Sequence, residues 1–225
     1  MKEGVPLEKM DKAMKSFGMP VGPITLMDEV GIDVGSKVAS YLSGADLGVR
    51  MTGGDISLMS TMVDKGWLGK KSGKGFYTYS GKKGKEIGPE MRAFLSEFTG
   101  GARSDLAETD IQDRITARLV NEAAKCLEDG IIADPIAGDI GLVFGIGFAP
   151  FRGGMLFRLL ESVASLCAHL ISEYLHLLKG PFRYLDTVGV TSFVDRMNGF
   201  ADAHGAQFEP CQLLKDYAAS GKKFH

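Results

Sequence analysis

The sequence of 225 residues has few cysteines, little charge imbalance and few long apolar runs. Its cysteines are Cys126, Cys167 and Cys211. They are odd in number, far apart and outside any metal-ligand spacing, which favours reduced thiols in an intracellular protein over a disulfide framework or a zinc site. The formal net charge is −2 and the pI is about 6.1, so the chain lacks the basic excess that nucleic acids and acidic membranes attract. We therefore expect no nucleic-acid partner.

Targeting and membrane-spanning segments are also missing from the sequence as given. The start, MKEGVPLEKMDK, has no apolar core and no Arg- and Ser-rich stretch, so it predicts neither a secretory signal nor a transit segment. Residues 155–179 form a long stretch without glycine or proline, but Arg158, Glu161 and Glu173 interrupt its apolar run. This pattern predicts an amphipathic helix that needs a covering partner, and no transmembrane segment.

Signatures of catalysis and of nucleotide binding are scarce. The only G-x-G triplets are 73–75 and 145–147, and the third glycine of a dinucleotide motif is replaced by Thr78 or Pro150. No serine lies in a nucleophile-elbow setting, and no His/Glu metal pattern occurs. His169 lies four residues before Glu173. A solvated pair on one face of a helix explains this spacing without a catalytic role. We therefore predict no catalytic residue, no cofactor site and no metal site on this chain.

Helix signals dominate what is present. Apolar residues at spacings of three and four from Leu7 to Phe17 predict a first helix after Pro6. Start signals for further helices are Pro23, Asp33, Asp55, Thr109 and Asp134-Pro135. Between the halves, the glycine-rich basic loop 66–85 surrounds a short extended segment, FYTY, at 76–79. The sequence therefore predicts an all-α fold.

The two halves repeat one helical pattern. Gly4 corresponds to Gly130, Pro23 to Pro181, Asp28 to Asp186 and Gly31 to Gly189. We predict a first repeat over residues 1–80 that lacks its first helix, a linker over 81–108 and a second repeat over 109–225. The second repeat carries an expected insertion at 155–180, which separates FRGG from PFRYLD.

Two features leave more than one interpretation open. Asp28 and Asp186 each precede a glycine by three residues, and each either has a functional role or caps the following turn or ties the repeats together. The basic loop, with Lys70, Lys71 and Lys74, is either a solvated turn or a contact for the phosphates of an anionic ligand.

Six ordered motifs carry a resemblance to a known family. They are FGMPVGPITLMDEVGIDV, LGKKSGKGFYTY, VNEAAKCLEDGI, DIGLVFGIGFAPFRGG, PFRYLDTVG and FEPCQLL. Through them the sequence resembles the C-terminal region of the 3-hydroxyacyl-CoA dehydrogenases of fatty-acid β-oxidation. Within that family it is most similar to the alpha subunits of the multifunctional proteins, above all that of the mitochondrial trifunctional protein.

The resemblance implies two tandem helical repeats of the 6-phosphogluconate dehydrogenase C-terminal-like type. In the family such a module packs against an NAD-binding Rossmann domain upstream, and the complete enzyme oxidises a 3-hydroxyacyl-CoA to the 3-ketoacyl-CoA with NAD. The multifunctional proteins add an enoyl-CoA hydratase. The family's catalytic His–Glu pair and hydratase glutamates have no counterpart in this chain, so we expect it to bind no NAD and to be inactive alone.

The resemblance also implies a site and partners. The expected wall of the acyl-CoA cleft consists of Gly18, Pro20, Gly22, Pro23, Leu26 and Asp28. Lys70, Lys71 and Lys74 are expected to attract CoA phosphates. Expected partners are a thiolase beta subunit or a second copy. The alternative is a non-catalytic helical module that docks on a thiolase or on a full-length dehydrogenase. The ending KKFH lacks a peroxisomal signal, so the resemblance predicts a mitochondrial location.

Overall fold

The computed structural model describes residues 1–45, 55–79, 84–149 and 180–225, and these fold almost wholly into helices. Their α-helices, in chain order, are α1 (Leu7–Phe17), α2 (Pro23–Val30), α3 (Ile32–Gly44), α4 (Ser57–Asp64), α5 (Pro89–Phe98), α6 (Glu108–Glu128), α7 (Pro135–Ile146), α8 (Pro181–Val188), α9 (Val190–His204) and α10 (Gln212–Ser220). Two short strands, β1 (Thr78–Tyr79) and β2 (Lys85–Glu86), pair antiparallel. The described residues thus confirm the predicted all-α class.

The chain divides into two compact units. Unit 1 comprises Met1–Lys15 and Val21–Ile111, and unit 2 comprises Ser16–Pro20 and Gln112–His225. The core of unit 1 combines residues from α1 to α5 with the FYTY segment. Its buried members are Leu7, Ile24, Ile32, Leu58, Met62, Phe76, Tyr77, Ile87 and Met91. Packing of this kind stabilises helices that are too short to persist in isolation.

The core of unit 2 is rich in aromatic rings. Phe148 and Phe182 are fully buried, and the Phe17 ring meets Phe148 and Tyr184 edge to face, with centroids 6.1 and 5.8 Å apart. α6 contributes small and β-branched residues to this core, and Val120 among them is fully buried. Small residues on one helix face let the aromatic side chains pack closely against it.

Most predicted helix boundaries agree with the structure. α2 begins at Pro23, and α7 begins at Pro135 with the Asp134 carboxylate accepting a hydrogen bond from the Ala137 N–H group at 2.8 Å. The prediction that Thr109 caps the long helix is wrong, because α6 already begins at Glu108. Asp33, which the sequence predicts at the start of a helix, is the second residue of α3, whose first residue is Ile32.

The stretch 81–108, which the sequence analysis assigned to a linker, contains β2, α5 and the start of α6. Ile87 and Met91 are buried in the core of unit 1. The described part of this stretch therefore contributes to a core, which a polar and mixed composition does not reveal. The predicted insertion, apart from Gly180, lies outside the described residues, as do His169 and Cys167.

The two repeats are visible in matching helix pairs. α2 and α3 meet at Gly31, and α8 and α9 meet at Gly189. Both glycines have positive φ angles, 105° and 85°, and each N–H group donates to the carbonyl four residues earlier. Only glycine adopts such a backbone readily, which explains why the sequence repeats glycine at this point.

A pair of leucines tests the assignment of the unit 2 core. Leu185 is fully buried, whereas Leu26 is 43% exposed. We expect Leu185→Ala to lower the free energy of unfolding by about 2–5 kcal/mol, because it removes buried methyl groups and leaves a cavity. Leu26→Ala should change it by less than about 0.5 kcal/mol. Chemical denaturation followed by circular dichroism measures both, and equal losses would contradict the assignment.

Candidate functional site

The predicted site residues fall into both units. Gly22, Pro23, Leu26, Asp28 and the three lysines of the basic loop belong to unit 1. Gly18 and Pro20 belong to unit 2, where a side chain added at Gly18 would meet the Ala149 methyl group. The candidate site in unit 1 therefore consists of α2 and the loop that follows α4.

The start of α2 depends on a carboxylate from another helix. Gly22 precedes Pro23 and offers no side chain to cap the free N–H groups. Asp11 of α1 accepts hydrogen bonds from the backbone N–H groups of Ile24 at 2.8 Å and Thr25 at 3.3 Å. A Cβ atom at Gly22 would lie 2.3 Å from the Asp11 carboxylate, so only glycine fits there.

Asp11 is buried and has further partners. The Tyr77 hydroxyl donates to its carboxylate at 2.9 Å, and the Lys85 ammonium lies 3.3 Å from the same oxygen. Burial alone would raise the pKa of the Asp11 carboxyl, but hydrogen bonds from Thr25, Tyr77 and Ile24 together hold that pKa below its usual value. Asp11 lies in an amphipathic helix, and nothing in the local sequence distinguishes it from a solvated aspartate. The sequence feature that could have pointed to such a residue is the Gly22-Pro23 helix start. Its free N–H groups need a hydrogen-bond acceptor from another part of the chain.

Asp28 is fully buried, and both carboxylate oxygens accept hydrogen bonds from the FYTY segment. The donors are the N–H groups of Phe76 at 2.8 Å and Tyr77 at 2.9 Å and the Tyr79 hydroxyl at 3.0 Å. Burial raises the pKa of the Asp28 carboxyl above its usual value, although the hydrogen bonds from Tyr77 and Phe76 act to lower that pKa. A Cβ atom at Gly75 would lie 2.1 Å from an Asp28 oxygen, so this close approach requires glycine.

These contacts give Asp28 a structural role in unit 1. Its carboxylate does not cap the turn after α2, as one interpretation of the sequence held, because the N–H group of Gly31 donates to the Met27 carbonyl instead. It fastens the extended segment at Phe76 and Tyr77 to α2. Asp186 in unit 2 makes the corresponding bonds, from the N–H groups of Phe224 and His225, both at 2.9 Å.

The three lysines of the basic loop each have a carboxylate partner. Lys71 lies 2.5 Å from Asp33, and Lys70 lies 3.7 Å from Glu29. The Lys74 ammonium is paired with Glu90 and also lies 4.4 Å from the centre of the Trp67 ring. Such exposed pairs are weak and exchange with solvent, so an anionic ligand can compete for the lysines.

An exposed apolar row runs along α2 and α3, which we term the outer stripe: Leu26, Val30, Val34, Val38 and Tyr41. The exposed fractions of its first four side chains lie between 42% and 52%, and that of Tyr41 is 78%. Leu26 and Val30 lie four residues apart on α2, and Val34, Val38 and Tyr41 lie four and three residues apart on α3, so each helix carries an exposed apolar face. Isolated exposed apolar residues are ordinary, whereas larger patches are typical of binding surfaces. Lys70 and Lys71 are ion-paired with carboxylates on the same two helices, Glu29 of α2 and Asp33 of α3.

The residues that the structure describes lack the arrangements that hold a dinucleotide or a metal ion. The sheet within the described ranges has two strands of two residues each, so it offers no strand, glycine-rich turn and helix in the order that cradles a dinucleotide. The described part of the chain holds no cluster of three or more metal-ligating side chains. None of the helices within it combines the length and hydropathy that a membrane span requires.

Comparison with known families defines the class of this fold and site. Residues 1–79 match the family model of the 3-hydroxyacyl-CoA dehydrogenase C-terminal domain. This is the family that the six motifs resemble, and the match to residues 1–79 confirms the resemblance.

Curated relatives of this chain include alpha subunits of fatty acid oxidation complexes. The subunit of Vibrio vulnificus is 41% identical over 98% of this chain and 26% of its own length. That of Shewanella amazonensis is 40% identical over 99% of this chain and 27% of its own length. The chain therefore spans about a quarter of the length of these curated relatives. Because they are bacterial, the prediction of a mitochondrial location is wrong.

Two solved structures share the fold. The dehydrogenase part of multifunctional enzyme 1 from C. elegans has a TM-score of 0.59 at 22% identity, covering 94% of this chain and 42% of that chain. A 3-hydroxybutyryl-CoA dehydrogenase from Escherichia coli K12 has a TM-score of 0.63 at 17% identity, covering 96% and 55%. At these identities the likeness concerns the fold alone, and it supports the tandem helical repeats.

The role of Asp11 at the start of α2 gives a pH-dependent prediction. Because its folded-state pKa lies below the usual value of 3.8, Asp11 stabilises the fold above that pH, and this contribution is lost as the pH falls below it. Asp11→Asn should remove this dependence and lower the free energy of unfolding at pH 7 by about 1–3 kcal/mol. The measurement is urea denaturation at pH 7 and at pH 3 to 4.

The matched control is Asp105, which is fully exposed and lies 2.7 Å from Lys9. We expect Asp105→Asn to leave stability at pH 7 unchanged, because exposed pairs contribute little. An Asp11→Asn protein as stable as the parent at pH 7 would show that Asp11 does not hold α2.

Proposed function

We propose that this chain is the C-terminal substrate and assembly part of a 3-hydroxyacyl-CoA dehydrogenase that acts in fatty-acid oxidation. In the complete protein the reaction is the oxidation of a 3-hydroxyacyl-CoA to the 3-ketoacyl-CoA, with hydride transfer to NAD. The observation that carries the proposal is the outer stripe, an exposed apolar row beside a basic loop in a domain of this family. An acyl-CoA combines the same two features, an apolar chain and charged phosphates.

Within this proposal α2 forms part of the acyl-CoA cleft wall. Pro23 begins the helix, and the exposed Leu26 offers an apolar surface to the acyl chain. Gly22, which is packed against Asp11, is included because the family resemblance implies it. Asp28 holds the FYTY segment in place beneath this surface. The family resemblance also implies Gly18 and Pro20 as cleft residues, and these belong to unit 2.

Lys70, Lys71 and Lys74 are proposed to attract the CoA phosphates. Lys70 and Lys71 are well exposed, so their ion pairs with Glu29 and Asp33 can open at little cost. The opposing interpretation is that these pairs leave a solvated, neutralised turn. Electrostatic attraction predicts that CoA affinity falls as ionic strength rises, whereas a neutralised turn predicts no such dependence.

The proposal includes inactivity of the isolated chain. We expect no NADH formation above background when the purified chain is mixed with a 3-hydroxyacyl-CoA and NAD, because the sequence has no dinucleotide fingerprint. Absorbance at the NADH band measures turnover, and a full-length dehydrogenase serves as the positive control. Turnover that persists after removal of trace contaminants would contradict inactivity.

The outer stripe is proposed to dock the upstream NAD-binding domain. Val34→Asp places a charge in the row and should weaken binding of that domain, added as a separate fragment, by about tenfold or more, which corresponds to roughly 1.4 kcal/mol. Ile136→Asp is the control, because Ile136 of unit 2 is similarly exposed but lies outside the stripe. Calorimetry measures both affinities, and equal effects would argue against the stripe.

A second candidate function rests on the same stripe. The chain is then a non-catalytic helical module that docks on a thiolase beta subunit, on a full-length dehydrogenase or on a second copy of itself. Light scattering with and without those proteins separates the two functions. A monomeric mass that no added thiolase or dehydrogenase changes counts against the module.

A further inference from the structure

The single tryptophan of the chain, Trp67, has a fixed backbone position at the end of α4. Gly66 precedes it in left-handed backbone, with a φ angle of 72°. The N–H group of Trp67 donates to the Met62 carbonyl, and that of Gly66 donates to the Val63 carbonyl, both at 2.9 Å. This is the hydrogen-bond pattern of a helix end that is closed by glycine. The local sequence therefore sets where the indole ring begins.

The basic loop folds back on itself and returns a lysine to the Trp67 ring. The N–H group of Gly69 donates to the Lys74 carbonyl at 2.9 Å, and the Ser72 hydroxyl donates to the same carbonyl at 2.8 Å. With the loop closed in this way, the Lys74 ammonium lies 4.4 Å from the centre of the Trp67 ring. The Lys65 ammonium lies 5.5 Å from the same centre. Two positive charges thus lie beside one indole ring.

A second aromatic ring, from α5, supports the indole. The Phe94 ring meets the Trp67 ring edge to face with centroids 5.6 Å apart, and the Lys65 ammonium lies 5.9 Å from the Phe94 ring centre. Both rings pack against the core of unit 1 and are only partly buried. Glu90 of α5 is ion-paired with Lys74, whereas Lys65 is exposed. We term Lys65, Trp67, Lys74 and Phe94 the indole platform.

The residues that follow Trp67 contact the two helices of the outer stripe. The Leu68 carbonyl accepts a hydrogen bond at 3.2 Å from the N–H group of Ile32, the first residue of α3. A Cβ atom at Gly69 would lie 2.3 Å from the carbonyl oxygen of Asp28 in α2. The indole platform and the outer stripe are therefore joined, within unit 1, by the start of the basic loop.

We propose that the indole platform binds the adenosine bisphosphate end of an acyl-CoA, with the adenine base stacked on the Trp67 ring and the phosphates at Lys65 and Lys74. Aromatic rings flanked by positive charge bind nucleotides in this way. A stacked base contributes more than the exposed cation–π contact that it replaces, so a lysine can leave the ring and turn to a phosphate. This inference rests on the proposed function and assigns the part of the substrate that the cleft residues do not contact.

Fluorescence of the purified whole chain tests the platform, because Trp67 is its only tryptophan. The probe is adenosine 3′,5′-bisphosphate, with a correction for light absorbed by adenine, and we expect saturable quenching from base stacking on the indole. Inorganic diphosphate carries charge without a base and should cause no quenching. Calorimetry measures the affinities. Binding of the bisphosphate without a change in Trp67 fluorescence, or no binding at all, would overturn the proposal.

Two further ligands separate this inference from the proposed function. NAD has the same base without the second ribose-bound phosphate of CoA, so we expect it to bind about tenfold more weakly than the bisphosphate. Equal affinities would overturn the assignment to CoA. An acyl-pantetheine has the acyl chain and no nucleotide, so it tests the proposed cleft alone. Binding of the acyl-pantetheine but not the bisphosphate overturns the platform and leaves the cleft, and binding of the bisphosphate alone does the reverse.

A pair of lysine variants completes the test. Lys74→Ala leaves both aromatic rings in place and should weaken binding of the bisphosphate about tenfold, because one hydrogen bond to a charged group is lost. Lys12→Ala is the matched control, since Lys12 belongs to the same unit, is exposed and lies outside the platform. It should change the affinity by less than about twofold. Equal losses in the two variants would indicate a general effect of charge and would overturn the platform.

Discussion

A helix that begins with glycine and proline has no side chain of its own that can accept hydrogen bonds from its first N–H groups. The candidate site of this protein depends on an acceptor supplied by another helix. The start of α2 uses Asp11 of α1, and the start of α8 uses Asp139 of α7. In both places glycine is required because any Cβ atom would collide with the carboxylate. One constraint thus fixes a glycine, a proline and a distant aspartate together in each repeat.

The same constraint orders the segments beside α2 and α8. Asp28 and Asp186 each accept two consecutive backbone N–H groups from a segment far along the chain. Phe76 and Tyr77 are buried, and buried N–H groups without acceptors would destabilise the fold, so Asp28 makes the FYTY segment part of the core of unit 1. On α2, Asp28 is buried, whereas Leu26 and Val30 of the outer stripe are exposed. The architecture therefore separates the residues that hold the site from those that can meet a ligand.

The sequence predicts the helices and the repeat well, because apolar spacing and glycine or proline signals act locally. Pro23 starts α2 as expected, and the paired Gly31 and Gly189 identify the repeat. The sequence does not predict features that depend on contacts between residues far apart in the chain. Asp11 lies in an ordinary amphipathic helix, and its partners Thr25 and Tyr77 are distant in the chain. Residues 84–108 read as polar, although Met91 is buried. The contact of Tyr77 with Asp11 and that of His225 with Asp139 each join residues far apart in the chain, so no local pattern predicts them.

The most direct test is a double-mutant cycle between Asp11 and Tyr77, whose side chains meet at 2.9 Å. The free energy of unfolding is measured for the parent chain, Asp11→Asn, Tyr77→Phe and the double variant. If the carboxylate joins the helix start to the FYTY segment, the loss in the double variant is smaller than the sum of the single losses by about 1 kcal/mol. Strictly additive losses would contradict the account, because they would show that the two groups act independently.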